Sequence, residues 1–194
     1  MLDRIKEILI TEADAIKAIP IGPSAENAAR ALAACTGKVF TTGVGKAGYV
    51  ARKAASTFST TGTPSSFIHP ADASHGDVGA ASKGDILLGF SNSGRTREVL
   101  ETVHFCRKLG VETIITISCS EDTPLGQESD IAIALGPIKE ACPFGLTPTC
   151  STTAMVALAD ALALAAMELR GFERADFALR HHGGYLGKKS REEQ

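Results

Sequence analysis

A chain of 194 residues with a formal charge of −2 and interspersed signs has the length of one domain with a real core. That charge balance argues against a general nucleic-acid or membrane-surface role. No apolar run is expected to span a bilayer, the opening Met1-Leu2-Asp3-Arg4 lacks a signal-peptide pattern, and the five scattered cysteines (Cys35, Cys106, Cys119, Cys142, Cys150) suit reduced thiols in a cytoplasmic protein.

Residues 2–19 place Leu2, Ile5, Ile8, Leu9, Ala13, Ile16 and Ile19 at helical spacing, which predicts an amphipathic helix broken by Pro20 and Pro23. Ser24 is expected to cap a second helix that ends near Cys35 and Gly37. Residues 39–44 predict a short strand opening into Gly43-Val44-Gly45-Lys46-Ala47-Gly48. That stretch resembles half a dinucleotide fingerprint, but its third glycine comes too early, and no Walker A loop is present. A helix to about Thr60, a turn at Thr61-Gly62-Thr63-Pro64 and a second strand over 65–68 follow. The next loop, His69-Pro70-Ala71-Asp72-Ala73-Ser74-His75-Gly76-Asp77, is too polar and too long for simple punctuation. Its His and Asp residues are metal-capable types without a tetrahedral ligand spacing, and hydrogen bonding to sugar hydroxyls is the favoured use of both histidines.

The apolar run over 86–90 reads as a buried parallel strand. It is closed by Ser91-Asn92-Ser93-Gly94-Arg95-Thr96-Arg97-Glu98 and followed by a helix to Leu109. Hydroxyls and free backbone N–H groups between a strand end and a helix start form an anion site, phosphate being the commonest small occupant. An ordinary turn with Ser93 as N-cap is the alternative; Arg95 and Arg97 either add charge or point into water. Strands are predicted over 112–118 and 131–135, joined by a polar connection with little helical length. A long Ala/Leu/Met-rich helix then runs from Cys150 or Ser151 to about Arg170. It is apolar nearly all round and needs either the domain or a subunit interface to cover it. The tail over 183–194 turns Gly-rich and then charged, with its last residues expected to be mobile.

Strands alternating with helices predict a doubly wound α/β fold with a five-stranded parallel sheet. Ligands in such sheets bind past the carboxyl ends of the strands, where loops 43–48, 62–77, 91–98 and 136–149 are expected to converge. Four residues, three in these loops and one beyond the long helix, have a chemical and an ordinary reading. Lys46 touches a phosphate or sugar oxygen, or is a solvated helix-start lysine. Glu140 removes a proton next to a carbonyl, or is an exposed loop glutamate. Glu98 acts likewise, or complements a helix dipole. His181 moves protons between oxygens, or belongs with His182 to a solvated patch.

These stretches resemble the sugar isomerase (SIS) superfamily, and most of all its D-arabinose 5-phosphate isomerases of the Kdo pathway. The resemblance covers residues 38–187 and is carried by Gly43-Val44-Gly45-Lys46, Ser59-Thr60-Thr61-Gly62-Thr63-Pro64, the 69–77 and 91–98 loops, Glu140-Ala141-Cys142-Pro143, Thr147-Pro148-Thr149 with Ser151-Thr152, and Asp176-Phe177-Ala178 leading to His181 and Leu186-Gly187. It implies a flavodoxin-like single SIS domain over 1–194, with N-terminal helices over 1–37, a core over 38–170 and a tail over 171–194. It implies Lys46, Glu98, Glu140 and His181 as the catalytic set, and Gly62, Thr63, His69, His75, Ser91, Ser93 and Thr96 as phosphosugar contacts. No cofactor is implied, inhibitory zinc falls on His69 alone, and the expected assembly is a cytoplasmic homotetramer in which a neighbour donates His181. Ala47 stands where the family usually has serine, and His182-Gly183 where it has Pro-Ala. The paired regulatory domains of long members are expected to be lacking. The expected reaction interconverts D-arabinose 5-phosphate and D-ribulose 5-phosphate through an enediol, for Kdo/lipopolysaccharide or capsule synthesis. The rivals are isomerisation of another phosphosugar (a hexulose or heptulose phosphate) and non-catalytic sensing of a phosphosugar or nucleotide sugar.

Overall fold

Five strands, β1 (Val39–Gly43), β2 (Ser65–Phe67), β3 (Ile86–Phe90), β4 (Thr113–Ser118) and β5 (Ile131–Ala134), form one sheet in the order β2-β1-β3-β4-β5. Every pairing is parallel in this computed structural model, which describes residues 1–192. Gly43, Phe90 and Ile117 stand side by side in the register, so the loops after β1, β3 and β4 leave from one line. At the opposite edge, the Asp85 carboxylate accepts the backbone N–H of Lys38 at 2.7 Å and of Ser82 at 2.8 Å. One buried side chain thus ties the entries to β1 and β3 together.

The alternation of side chains along β3 explains the layers. Ile86, Leu88 and Phe90 face α2 (Pro23–Ala34), α3 (Gly45–Thr60) and α7 (Cys150–Leu169). Leu87 faces the opposite way, toward Val99, Val103 and Cys106 of α5 (Arg97–Lys108). Buried side chains such as Phe58, Phe90 and Met155 each contribute roughly 1.5–3 kcal/mol of transfer free energy. Because α3 leaves β1 toward one face and α5 leaves β3 toward the other, a topological switch point lies between the two central strands.

The glycines of the 43–48 stretch serve packing. A Cβ on Gly48 would lie 2.7 Å from the Gly43 carbonyl oxygen, and one on Gly43 2.9 Å from that of Ala47. The first turn of α3 therefore presses directly on the end of β1.

Several local expectations need correction. Pro23 occupies the first turn of α2 and Gly22 is its N-cap, so Ser24 lies inside the helix and does not cap it. Thr96, not Ser93, is the N-cap of α5. The polar 69–77 loop contains α4 (Pro70–Ala73) and leads into a 3-10 turn at Asp77–Ala80, and the 120–129 connection contains α6 (Pro124–Gln127). Both short helices begin with proline, which pre-sets φ for a first turn. By length and composition alone, α7 is long and apolar enough to cross a membrane after all. Its burial against α1 (Leu2–Lys17), α2 and α3 instead makes it a core helix. The tail forms α8 (Arg174–Arg180) and α9 (Gly184–Glu192), and the mobility expected at Glu193 and Gln194 lies outside the described residues. Although α1 packs on α7, it buries none of its residues; Leu2, Leu9 and Ile10 are exposed, as is Ile21 beyond it.

Replacing Gly48 by Ala should cost about 1–3 kcal/mol in urea unfolding, because backbone must move to admit the methyl group. An unchanged midpoint would contradict the close approach of α3 to β1.

Candidate active site

Three long helices begin along the carboxyl edge of the sheet, and none of the three is capped by its own N-cap side chain. Unsatisfied amides and the helix dipole make each of these starts attractive to negative charge. At the start of α3, Gly45 turns the chain with φ 61°, and Lys46 is exposed in the first turn. Lys46 lines a cleft of about 390 Å³ with Tyr49 and Val50 from the same helix and Thr152, Thr153 and Val156 from α7.

Beside it, the loop after β3 is braced internally. The hydroxyls of Ser91 and Thr96 pair at 2.7 Å, and Ser93 Oγ accepts the Arg95 backbone N–H at 3.2 Å. Gly94 sits at φ 60°, where a Cβ would fall 2.2 Å from Thr123 Oγ1, and its carbonyl accepts the Leu125 N–H at 2.9 Å. The loop is thus pinned to the α6 turn while Thr96 leaves the start of α5 without a side-chain cap. Arg97 points along the helix to Glu101, at 2.7 Å, and Arg95 and Glu98 are exposed.

Glu140 joins this edge through α7. Its Oε2 accepts the Thr149 backbone N–H at 2.8 Å and the Thr149 hydroxyl at 3.4 Å, and its Oε1 accepts the Ser151 N–H at 3.4 Å. Burial pushes the carboxyl up, but the Ser151 hydroxyl and the N–H groups of Thr149, Ser151 and Cys150 outweigh it and hold Glu140 below the usual glutamate range. Two residues on, Cys142 Sγ accepts the N–H groups of Leu146 and Thr147 at 3.1 Å each. The Thr147 N–H leads in lowering this thiol, against a smaller opposing effect of burial, to about 7. All five cysteines are free.

On the far side of β1, His69 caps α4, its Nδ1 accepting the Ala71 N–H at 3.2 Å. In the neutral ring that acceptor role leaves the proton on Nε2. A small pocket of about 170 Å³ brings His69 together with Gly45, Gly48, Tyr49, Arg52 and Phe67. His75 is exposed at the end of the same loop. Among the described residues no three His, Cys, Asp or Glu side chains gather as a metal set, so His69 has no second and third ligand beside it.

Not all of the expected site residues come together within one chain. Gly62 and Thr63 precede β2 and therefore lie at the amino edge, across the sheet from the Ser91–Thr96 pair. There Gly62 meets the Phe172 ring, the Arg180 guanidinium lies 5.0 Å from that ring, and His181 stacks on Phe177 at 3.9 Å. Arg170, at the end of α7, donates to the carbonyls of Leu32 and Cys35 before β1, which fixes this cluster at the amino edge. The convergence expected of loop 62–77 thus holds only from His69 onward. Lys46, Glu140 and the Ser91–Thr96 loop share one edge; Gly62, Thr63 and His181 share the other. The buried Thr63 Oγ1 and His181 Nδ1 have no hydrogen-bond partner among the described residues.

Sequence reasoning did not anticipate Tyr49 and Val156 in the cleft, nor Thr149 and Ser151 as partners of Glu140. Hydroxyl residues ahead of an apolar run signal a helix start, but not which carboxylate that start will hold.

The SIS domain family model matches residues 32–165. Arabinose 5-phosphate isomerase KdsD of Pseudomonas aeruginosa is 42% identical over 180 residues, 92% of this chain and 55% of that protein. The chain thus spans about half the length of the curated relatives it matches. A solved protein of E. coli CFT073, in complex with arabinose 5-phosphate, is 40% identical with a TM-score of 0.87, over 93% of this chain and 96% of that one. A candidate phosphosugar isomerase involved in capsule formation from Bacteroides fragilis is also 40% identical, with a TM-score of 0.92, over 95% and 99%. With its strand order, its sheet-edge loops and this match all in agreement, the chain belongs to the SIS domain family.

Proposed function

We propose that this protein is an aldose–ketose isomerase interconverting D-arabinose 5-phosphate and D-ribulose 5-phosphate. The observation that carries the reading is the meeting, at the start of three helices, of a braced hydroxyl loop, Lys46 and a Glu140 carboxylate held by backbone N–H groups. The arabinose 5-phosphate complex of a relative matched over nearly its whole chain and the name of the Pseudomonas relative support the substrate.

In this reading the phosphate rests on Ser91, Ser93, Thr96 and the open start of α5, which fixes the distance from the charged end to the reacting carbons. Glu140 takes the proton from carbon 2 of the open-chain aldose and a proton returns to carbon 1. The net change is one hydrogen shifted through a cis-enediol, with no external oxidant or reductant, so the scheme requires no cofactor. Lys46 stabilises the charge that develops on the enediolate oxygen, and Glu98 is the second carboxylate near the loop. Ring opening and proton movement between the carbon-1 and carbon-2 oxygens fall to His181, while His69, His75, Gly62 and Thr63 contact the sugar phosphate.

The amino-edge position of His181, Gly62 and Thr63 supports a homo-oligomer, for which we propose a tetramer. A second copy, turned to bring its amino edge to the cleft, would supply the Thr63 hydroxyl and the His181 imidazole, whose Oγ1 and Nδ1 have no partners among the described residues. The exposed Leu2, Leu9, Ile10 and Ile21 are apolar surface that an assembly would cover. The proposed setting is the cytoplasm, feeding Kdo/lipopolysaccharide or capsule synthesis.

Incubation with D-ribulose 5-phosphate should yield D-arabinose 5-phosphate, and Glu140→Gln should lower kcat by about 10² or more while phosphosugar binding survives. Wild-type levels of turnover in that variant would remove Glu140 from the role, and conversion of a hexulose or heptulose phosphate instead would redirect the substrate. Mixing inactive Glu140→Gln and His181→Ala chains and allowing subunit exchange should restore turnover, because one site then receives both native side chains. No recovery after demonstrated exchange would contradict donation between subunits.

A further inference from the structure

We propose that the first turn of α7 belongs to the proton-transfer apparatus, with Ser151 as a positioning residue. Its buried hydroxyl, together with the amide N–H groups of Thr149 and Ser151, fixes the orientation and charge of the Glu140 carboxylate at the cleft. The inference rests on the isomerase reading and deepens it.

A twenty-residue helix starts here, and its N-cap Thr149 makes no side-chain cap of its own. The capping role passes to a carboxylate nine residues upstream, which meets the amides of Thr149 and Ser151 at 2.8 and 3.4 Å. Ser151 is 1% exposed and its Oγ has no hydrogen-bond partner among the described residues, while its own N–H reaches the Glu140 carboxylate at 3.4 Å. Its hydroxyl also helps to hold that carboxyl below the usual glutamate range. A buried hydroxyl without a partner is rare; one on a residue whose backbone N–H already holds a carboxylate is placed to tighten on it as charge moves. The next two residues of the same turn, Thr152 and Thr153, line the cleft beside Lys46, so the turn that holds Glu140 also shapes the wall that the substrate meets.

Other charged and titratable groups face this turn. From α1, Arg4 donates to the Ala141 carbonyl and Glu12 accepts from the Thr153 hydroxyl. Lys46 comes from α3 across the cleft; Lys139 and the Cys142 thiol lie on the loop itself, and Cys150 on α7. Ser151 can be removed without changing any of these charges.

Ser151→Ala should therefore raise the acid limb of the kcat/KM pH profile by up to about 1 pH unit, the size of one hydrogen bond to a charged group. It should add no further loss in a Glu140→Gln background. A 13C titration of the Glu140 carboxyl, assigned by its disappearance in Glu140→Gln, should show the same upward shift. Ser151→Gly serves the same tests if the alanine variant does not fold. An acid limb and a carboxyl titration that both stay at the wild-type position would overturn the proposal. A shifted titration in a protein whose wild type turns over no pentose phosphate would overturn the isomerase reading, and with it the catalytic use of this pairing.

Discussion

One helix limits what a single copy of this chain can do. With twenty residues, α7 is about 30 Å long, and it carries Glu140's partners at one end and the anchor of the His181 cluster at the other. Arg170 locks the far end onto the carbonyls of Leu32 and Cys35, so the two sets of candidate residues stand at opposite edges of the sheet. Any chemistry that needs both must bring two copies together. The apolar surface of α1, and the Thr63 hydroxyl and His181 nitrogen that have no partner among the described residues, all fit that requirement.

At the edge that holds Lys46 and Glu140, the electrostatics come mainly from backbone. Helices α4 and α6 are capped by His69 and Thr123, and α8 by a capping box through Glu173. By contrast α3, α5 and α7, whose starts meet near the switch point, have no cap from their own N-cap residues. Their open amides and dipoles give a region suited to an anionic ligand. Glu140 satisfies one of these starts from inside the protein, which leaves those of α3 and α5 open to an anion.

The sequence made the fold and one side of the site readable because their signals are local. The apolar run of β3, the hydroxyl loop after it and the all-round apolar α7 each follow from a few adjacent residues. What stayed hidden depends on geometry across the chain. Ser24 and Ser93 are good caps by type, but Pro23 pre-sets the start of α2 and the Ser91–Thr96 pairing moves the start of α5 to Thr96. Gly62 and Thr63 read as part of a converging loop, yet residues before a strand lie at the edge opposite to residues after it. The partners of Glu140 come from a turn nine to eleven residues later, and the glycines at 43 and 48 resembled a nucleotide motif when their use is close packing.

The most direct measurement of the central claim is a crystal structure of the assembled protein with D-arabinose 5-phosphate bound. The phosphate should lie on the Ser91, Ser93 and Thr96 loop with carbons 1 and 2 beside Glu140, and His181 from a second copy should stand within hydrogen-bond reach of the sugar oxygens. A sugar bound away from Glu140, or a His181 that faces solvent in every copy, would contradict it.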